Sequence, residues 1–364
     1  MLKLKNYIEL NPKEHISKGE VVRQVTMADL EPFNRDIKKC GYVKYKSGTK
    51  FRNGDTLLAR ITPCLENGKT SFVNFLKQNE VAVGSTEFYV LRAIEGKMDP
   101  NYLYYLSISK KFRKSLIKSM TGTSGRQRAT KEAVLDYDSN IPDIDNQKSI
   151  SHKLSLIDDM ISVNNQINDN LLDIAKIIYH RILFSSQITK TNLRSFATVI
   201  MGQSPSSKTY NENKIGIPLL NGAADFRNGI HPSKWTTDPK IIVNKGAYIF
   251  GVRATIGLTT KVSKPYAIGR GTGSAIPKDV NNEEILYFIL NDMFKKFEQS
   301  ESGSVYINIS KNDFQNYTFN IPDKNDLLFF HEKVKPIMDR IYINKKENKI
   351  LQAIKAALSN KYFD

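Results

Sequence analysis

Residues 145–186, DNQKSISHKLSLIDDMISVNNQINDNLLDIAKIIYHRILFSS, decide the fold, because they read as one long helix. Ile150, Leu154, Ile157 and Ile161, then Leu171, Ile174, Ile178 and Ile182, recur at three- and four-residue steps. That spacing lays them along one stripe of an α-helix. No Gly or Pro falls between Asp143 and Ser186. A helix of roughly 42 residues extends about 60 Å at about 1.5 Å per residue, well beyond the usual helix of a globular domain. Asn164 and Asn168 interrupt the stripe where apolar residues belong.

The pattern returns 180 residues later. Ile141-Pro142-Asp143 becomes Ile321-Pro322-Asp323, and Lys153, Asp159 and Ile161 become Lys333, Asp339 and Ile341. Leu171, Ile174 and Ile178 become Leu351, Ile354 and Leu358, and both asparagines persist as Asn344 and Asn348. Polar defects and apolar stripe repeat together, which marks a true internal repeat.

Two helices with matching stripes bury them most simply against each other as a coiled coil. Antiparallel pairing satisfies both within one chain, with a crossing expected near Gln166 and Lys346. Asn164, Asn168, Asn344 and Asn348 would then share layers and fix the helix register at some loss of stability. The alternative places them on a solvated edge of the stripe. The reading is an α+β chain with a pseudo-twofold repeat, in four segments. A first globular module spans 1–142, a central long helix 143–186, a second module 187–322 and a C-terminal long helix 323–364.

The net charge of +17 is unevenly spread: +10 in 1–142, −2 in 143–186, +6 in 187–322 and +3 in 323–364. Excess positive charge on two paired modules suits a polyanion. Cys40 and Cys64, without CxxC or CxxH spacing, argue against a disulfide framework and structural zinc. The Met-Leu-Lys-Leu-Lys start is no signal peptide, and no apolar run is long enough to span a bilayer. A soluble cytoplasmic protein is expected.

Within the first module, Val21 to Thr26, Thr56 to Ile61 and Phe88 to Leu91 have strand composition, with Asn53-Gly54-Asp55 marking a turn. Asp99-Pro100 starts a helix expected to run from about Asn101 to Ser119. Its Lys110, Lys111, Arg113 and Lys114 suit a solvated face better than phosphates, and Tyr102, Tyr104 and Tyr105 suit the core. The second module repeats the plan: Gly246 to Arg253 echoes Gly54 to Arg60, and a helix from Glu283 to Phe297 echoes the one after Pro100.

Motifs of catalysis are missing. There is no Asn/Asp-Pro-Pro-Tyr/Phe of an adenine methyltransferase and no GxxxxGK[ST] phosphate loop. Gly269-Arg270-Gly271-Thr272-Gly273 lacks the strand-to-helix setting of a dinucleotide site. His15, His152, His180, His231 and His331 form no HxH or HExxH pair, so no catalytic residue and no metal ligand set is assigned.

Two basic modules alternating with two long helices resemble the DNA-specificity subunit of type I restriction–modification systems. The resemblance covers essentially the whole chain. It is carried by Gly202-Gln203-Ser204-Pro205, by Pro218-Leu219-Leu220-Asn221-Gly222, by Gly246 through Gly257, and by the Ile-Pro segments before each helix. In the first module Arg60-Ile61-Thr62-Pro63 stands where the family pattern has a small-residue turn. The resemblance implies two target-recognition domains on double-stranded DNA and assembly with two methyltransferase (M) subunits. Restriction (R) subunits are a further component. It places no cofactor in this chain; S-adenosylmethionine, ATP and Mg2+ come with the partners. The target would be two short unequal half-sites with an unread gap.

Arginine serves guanine edges and phosphates alike, and loops rich in Gly, Ser and Thr let backbone approach a groove. On that basis the first module offers Arg60, Ser85, Thr86, Ser124, Arg126, Gln127 and Arg128 to DNA. The second offers Asn221, Arg227, Arg253, Arg270, Thr272, Ser304 and Asn308. Two rival readings are a stand-alone DNA-binding regulator and a coiled-coil scaffold for proteins.

Overall fold

The computed structural model describes residues 2–227, 229–252, 257–299 and 310–364. Two compact units divide the chain: Met1–Gln166 with Asn344–Asp364, and Ile167–Ile343. Each contains one globular module and half of each long helix. The central helix runs Ile144–Ser185 and the C-terminal helix Lys324–Phe363, within a residue or two of the expected bounds.

In the first unit the two helix segments are antiparallel. Asn164 meets Asn348, while Asp158, further back, meets Lys355, further on. Leu154 shares a core with Leu358 and Phe363. Buried positions of the central helix here are Gln147, Ser151, Leu154, Ile157, Asp158 and Asn164. In the second unit Ala175, Tyr179 and Ile182 pack with Leu327, Phe330 and Val334 of the C-terminal helix.

One detail of the expected stripe is corrected. Ile174 and Ile354, equivalent in the repeat, are exposed at 48% and 45%. Ala175 and the stem of Lys355 lie inward instead. A paired helix keeps its seam at about 3.5 residues per turn, and one step from 174 to 175 moves onto that seam.

Each module is built on two main sheets whose common strands follow one plan, with a two-stranded ribbon beside them and one extra strand, Tyr210–Asn211, in the second sheet of the second module. In the first unit Thr56–Ala59 lies between Phe88–Ala93 and Thr70–Phe72, with Ile8–Leu10 on the outer edge of Phe88–Ala93. Its residues alternate, as a strand buried on both faces requires. Leu58 and Tyr89 face the core of Tyr102, Tyr104 and Tyr105, while Leu57, Phe88 and Val90 face a second core with Val25 and Phe51. The second sheet pairs Val21–Val25 in parallel with Ala82–Gly84, flanked by Gly41–Lys44 and Thr49–Phe51.

The second unit repeats this plan. Tyr248–Gly251 lies between Thr272–Pro277 and Gly257–Lys261, with Ala197–Met201 on the edge. Ile217–Leu220 runs parallel to Tyr266–Ile268 in the other sheet. Corresponding strands thus keep their order and direction.

The helix expected from Asn101 to Ser119 is two helices, Pro100–Ile108 and Lys110–Lys118. Ser109 adopts an extended conformation between them and caps the second by accepting from the Phe112 N–H. All three tyrosines are buried. Arg113 does not lie on a solvated face. Its guanidinium donates to the Leu65 and Glu66 carbonyls and sits 4.6 Å from the Phe33 ring centre.

Candidate nucleic-acid interface

In the first module the candidate residues gather where Thr56–Ala59 ends. Arg60 N–H donates to the Glu87 carbonyl, and the Arg60 carbonyl accepts from Ala129. Segment 121–128 folds back on itself there, with Thr121 and Arg128 exchanging both backbone hydrogen bonds at 3.0 and 2.9 Å. Thr62 N–H reaches the Gln127 carbonyl. The loop is therefore stitched to the sheet at its base, while Ser124 and Arg126 stand exposed at its tip. Ser85 and Thr86 follow the parallel strand Ala82–Gly84 into the same place. The sequence-derived set thus converges.

Glu87, absent from that set, joins it together. Arg128 donates to it through Nε at 2.9 Å and Nη2 at 2.7 Å, and Arg60 donates through Nε at 3.2 Å. Hydrogen bonding from Arg128 holds the Glu87 carboxyl below its ordinary range against the opposing effect of burial; Arg60 adds to it. The Arg60 guanidinium also lies 5.4 Å from the Tyr89 ring centre. In the sequence Glu87 stands beside only two of the candidates, Ser85 and Thr86; its link to Arg60 and Arg128 is made by the fold.

In the second module three segments meet behind the equivalent parallel strands. Asn221 follows Leu220, Gly269 and Arg270 follow Ile268, and Ser204 lies between them. Ser204 Oγ accepts from the Arg270 N–H at 3.2 Å and lies 3.4 Å from Asn221 Oδ1. Asp225 fastens the turn by accepting from the Asn221 N–H and the Ser233 hydroxyl. A Cβ at Gly269 would strike the Asn221 side chain, and one at Gly202 the Gly269 carbonyl. This close approach accounts for the glycines of both motifs.

Asn221, Arg227 and Arg270 are exposed on this turn cluster. Thr272 is a correction: it is fully buried, and its hydroxyl donates to the Leu220 carbonyl at 3.1 Å, so it cannot face DNA. Arg253, Ser304 and Asn308 lie outside the described residues. Thr26 occupies the place in the first module that Asn221 holds in the second. Both directly follow the parallel strand, and Asp29 fastens Thr26 by accepting from its N–H and hydroxyl.

Of the helix asparagines, Asn164 Nδ2 donates to Asn348 Oδ1 at 3.0 Å and to Glu347 at 3.2 Å. Asn348 Nδ2 donates to Asn165 Oδ1 at 2.9 Å. The pair 164 and 348 falls on the expected crossing register. Asn168 and Asn344 are buried as well. None of the four is a solvated edge.

Among the described residues no cluster of His, Cys, Asp and Glu could hold a metal ion, and no helix is long and apolar enough to cross a membrane. A family profile described as the type I restriction modification DNA specificity domain matches residues 5–173 and again 186–358. The chain belongs to the type I restriction–modification DNA-specificity family. It is a specificity subunit with two copies of the family's domain, and such a subunit works with DNA and a methyltransferase.

This specificity subunit is 27% identical over 355 residues to a Methanocaldococcus jannaschii protein named as the MjaX specificity subunit, covering 89% of this chain and 82% of that one. Over 128 residues, 33% of this chain and 21% of the other, it is 35% identical to the Escherichia coli EcoAI specificity subunit. The S subunit of M. genitalium shares the fold at a TM-score of 0.56 and 14% identity, covering 100% of this chain and 95% of that one.

Proposed function

We propose that each module reads one short half-site, that the DNA between them is unread, and that this chain directs catalysis it does not perform. The observation that carries the proposal is the repeated scaffold with different loops. The same parallel strand pair delivers Thr26, Ser85 and Thr86 in one module and Asn221, Gly269 and Arg270 in the other. Equal scaffolds with unequal loops suit two unequal half-sites, and the positive charge of both modules suits the phosphates that hold them there.

Two methyltransferase subunits bring S-adenosylmethionine, and restriction subunits bring ATP and Mg2+, in the cytoplasm. Docking of the former is supported by a second apolar stripe that the helix pair leaves exposed. In the first unit it comprises Leu156, Met160 and Val163 with Ile350 and Ile354; in the second, Ile167, Ile174 and Ile177 with Phe329 and Ile343. Ordinary helices keep that face polar. The test is purification of the chain alone and with the co-expressed methyltransferase. The pair should copurify and methylate DNA, and the chain alone should transfer no methyl group from S-adenosylmethionine. Methyl transfer by the pure chain would refute the division of labour.

A further inference from the structure

We infer that Glu87 is a specificity-determining positioning residue: it orients Arg128 to read a guanine in the half-site of the first module. The inference rests on the proposed reading of DNA by that module. A guanidinium has five N–H groups in a rigid plane. Glu87 takes the Nε–Nη2 edge of Arg128, and the Arg126 carbonyl accepts from Nη1 at 3.2 Å. That fixes the plane while leaving, among the described residues, one N–H on each terminal nitrogen unused. The Arg128 side chain is 42% exposed, against 24% for Glu87 and 27% for Arg60.

Two parallel donors match the paired acceptors of guanine, O6 and N7, which no other base presents in the major groove. An arginine already held in place forgoes less side-chain freedom on binding than a loose one. Arg60 keeps the carboxylate from swinging out with Arg128, since its Nε donates to the carboxylate while its backbone N–H ties down the Glu87 main-chain carbonyl. The device belongs to one half-site only. The residue before the corresponding strand in the second module is Gly271, where a side chain would strike the Asn221 carbonyl.

The experiment maps methylated sites made by the full chain assembled with its methyltransferase, for the natural protein and for Glu87→Gln, Arg128→Lys and Arg128→Ala. The natural protein should require guanine at one position of one half-site. Each variant should lower that preference roughly 10- to 100-fold, the range expected for a lost bidentate contact, and leave the other half-site unchanged. Arg128→Lys keeps the charge without the two-pronged edge, so it decides the matter if Glu87→Gln also lowers the melting midpoint. An unchanged motif, relaxation at a base other than guanine, or equal weakening at all sites overturns the inference while a bipartite motif upholds the proposed function. A natural protein with no bipartite motif refutes the function itself.

Discussion

Replacing both Asn164 and Asn348 by Leu should make the helix pair more stable and less exact. Each asparagine is nearly buried, at 9% and 7% exposure, and the two are joined by a 3.0 Å hydrogen bond. The double change removes this bond, the one from Asn348 to Asn165 and the one from Asn164 to Glu347, at about 1 kcal/mol each. Two leucines in nearly buried positions return about 1.5–3 kcal/mol each. The net is a gain of about 0–3 kcal/mol. Either single change instead strands the end of the remaining buried amide that faced the replaced one, which costs about 1–3 kcal/mol more and brings the variant to neutral or below. The sign of the non-additivity is thus fixed beforehand. Denaturant unfolding of the natural protein, both single variants and the double variant measures it, and methylation mapping should then find more than one gap length. A double variant less stable than the natural protein, with one gap length retained, would refute the reasoning.

The other predictions concern the joints between module and helix. Asp158 accepts from Lys355 at 2.6 Å and from the Tyr105 hydroxyl at 2.8 Å, all three nearly buried. Lys355→Met should therefore cost about 3–5 kcal/mol by stranding the carboxylate, and Tyr105→Phe about 1 kcal/mol; equal small losses in denaturant unfolding would contradict this. Burial raises the Glu284 carboxyl above its ordinary range, although the His331 ring, 2.6 Å away, opposes the rise. A raised acid contributes stability that is complete below the usual carboxylate range and fades as pH climbs through the raised value. Glu284→Gln should flatten the fall in melting midpoint as pH climbs above the usual carboxylate range, and an unchanged slope would count against it. Four residues inserted after Asn165 together with four after Lys346 add about 6 Å and roughly 40° beyond a full turn. That should lengthen the gap by about one base pair, whose rotation is roughly 35°, and leave both half-sites intact; altered half-sites with the old gap would mean that the helices measure nothing.

The long helices were legible because their signal accumulates over 42 and 40 residues, and even Asn164 opposite Asn348 followed from the repeat. Ile174 misled because its three-residue step from Leu171 fits either side of the seam, while Ala175 is too small to announce burial. Strands buried on both faces, such as Thr56–Ala59, stood out by composition alone. The candidate interface was legible by residue type and only partly by position. Arg60 and Arg128 lie 68 residues apart, and nothing local foretells that one carboxylate joins them. Thr272 shows the converse: a threonine in a glycine-rich turn looks available, yet its hydroxyl serves a strand-end carbonyl. Ser109 could have been read, since a serine three residues before Phe112 in a basic helix is a capping signal.

The division of labour between the modules is tested most directly by mapping methylated sites with Arg126→Ala and, separately, Arg270→Ala, both exposed on the candidate loops of different modules. The natural complex should give two short unequal half-sites with a fixed gap. Arg126→Ala should alter or weaken one half-site alone, and Arg270→Ala the other alone. A contiguous motif, or both changes falling on the same half-site, would contradict it.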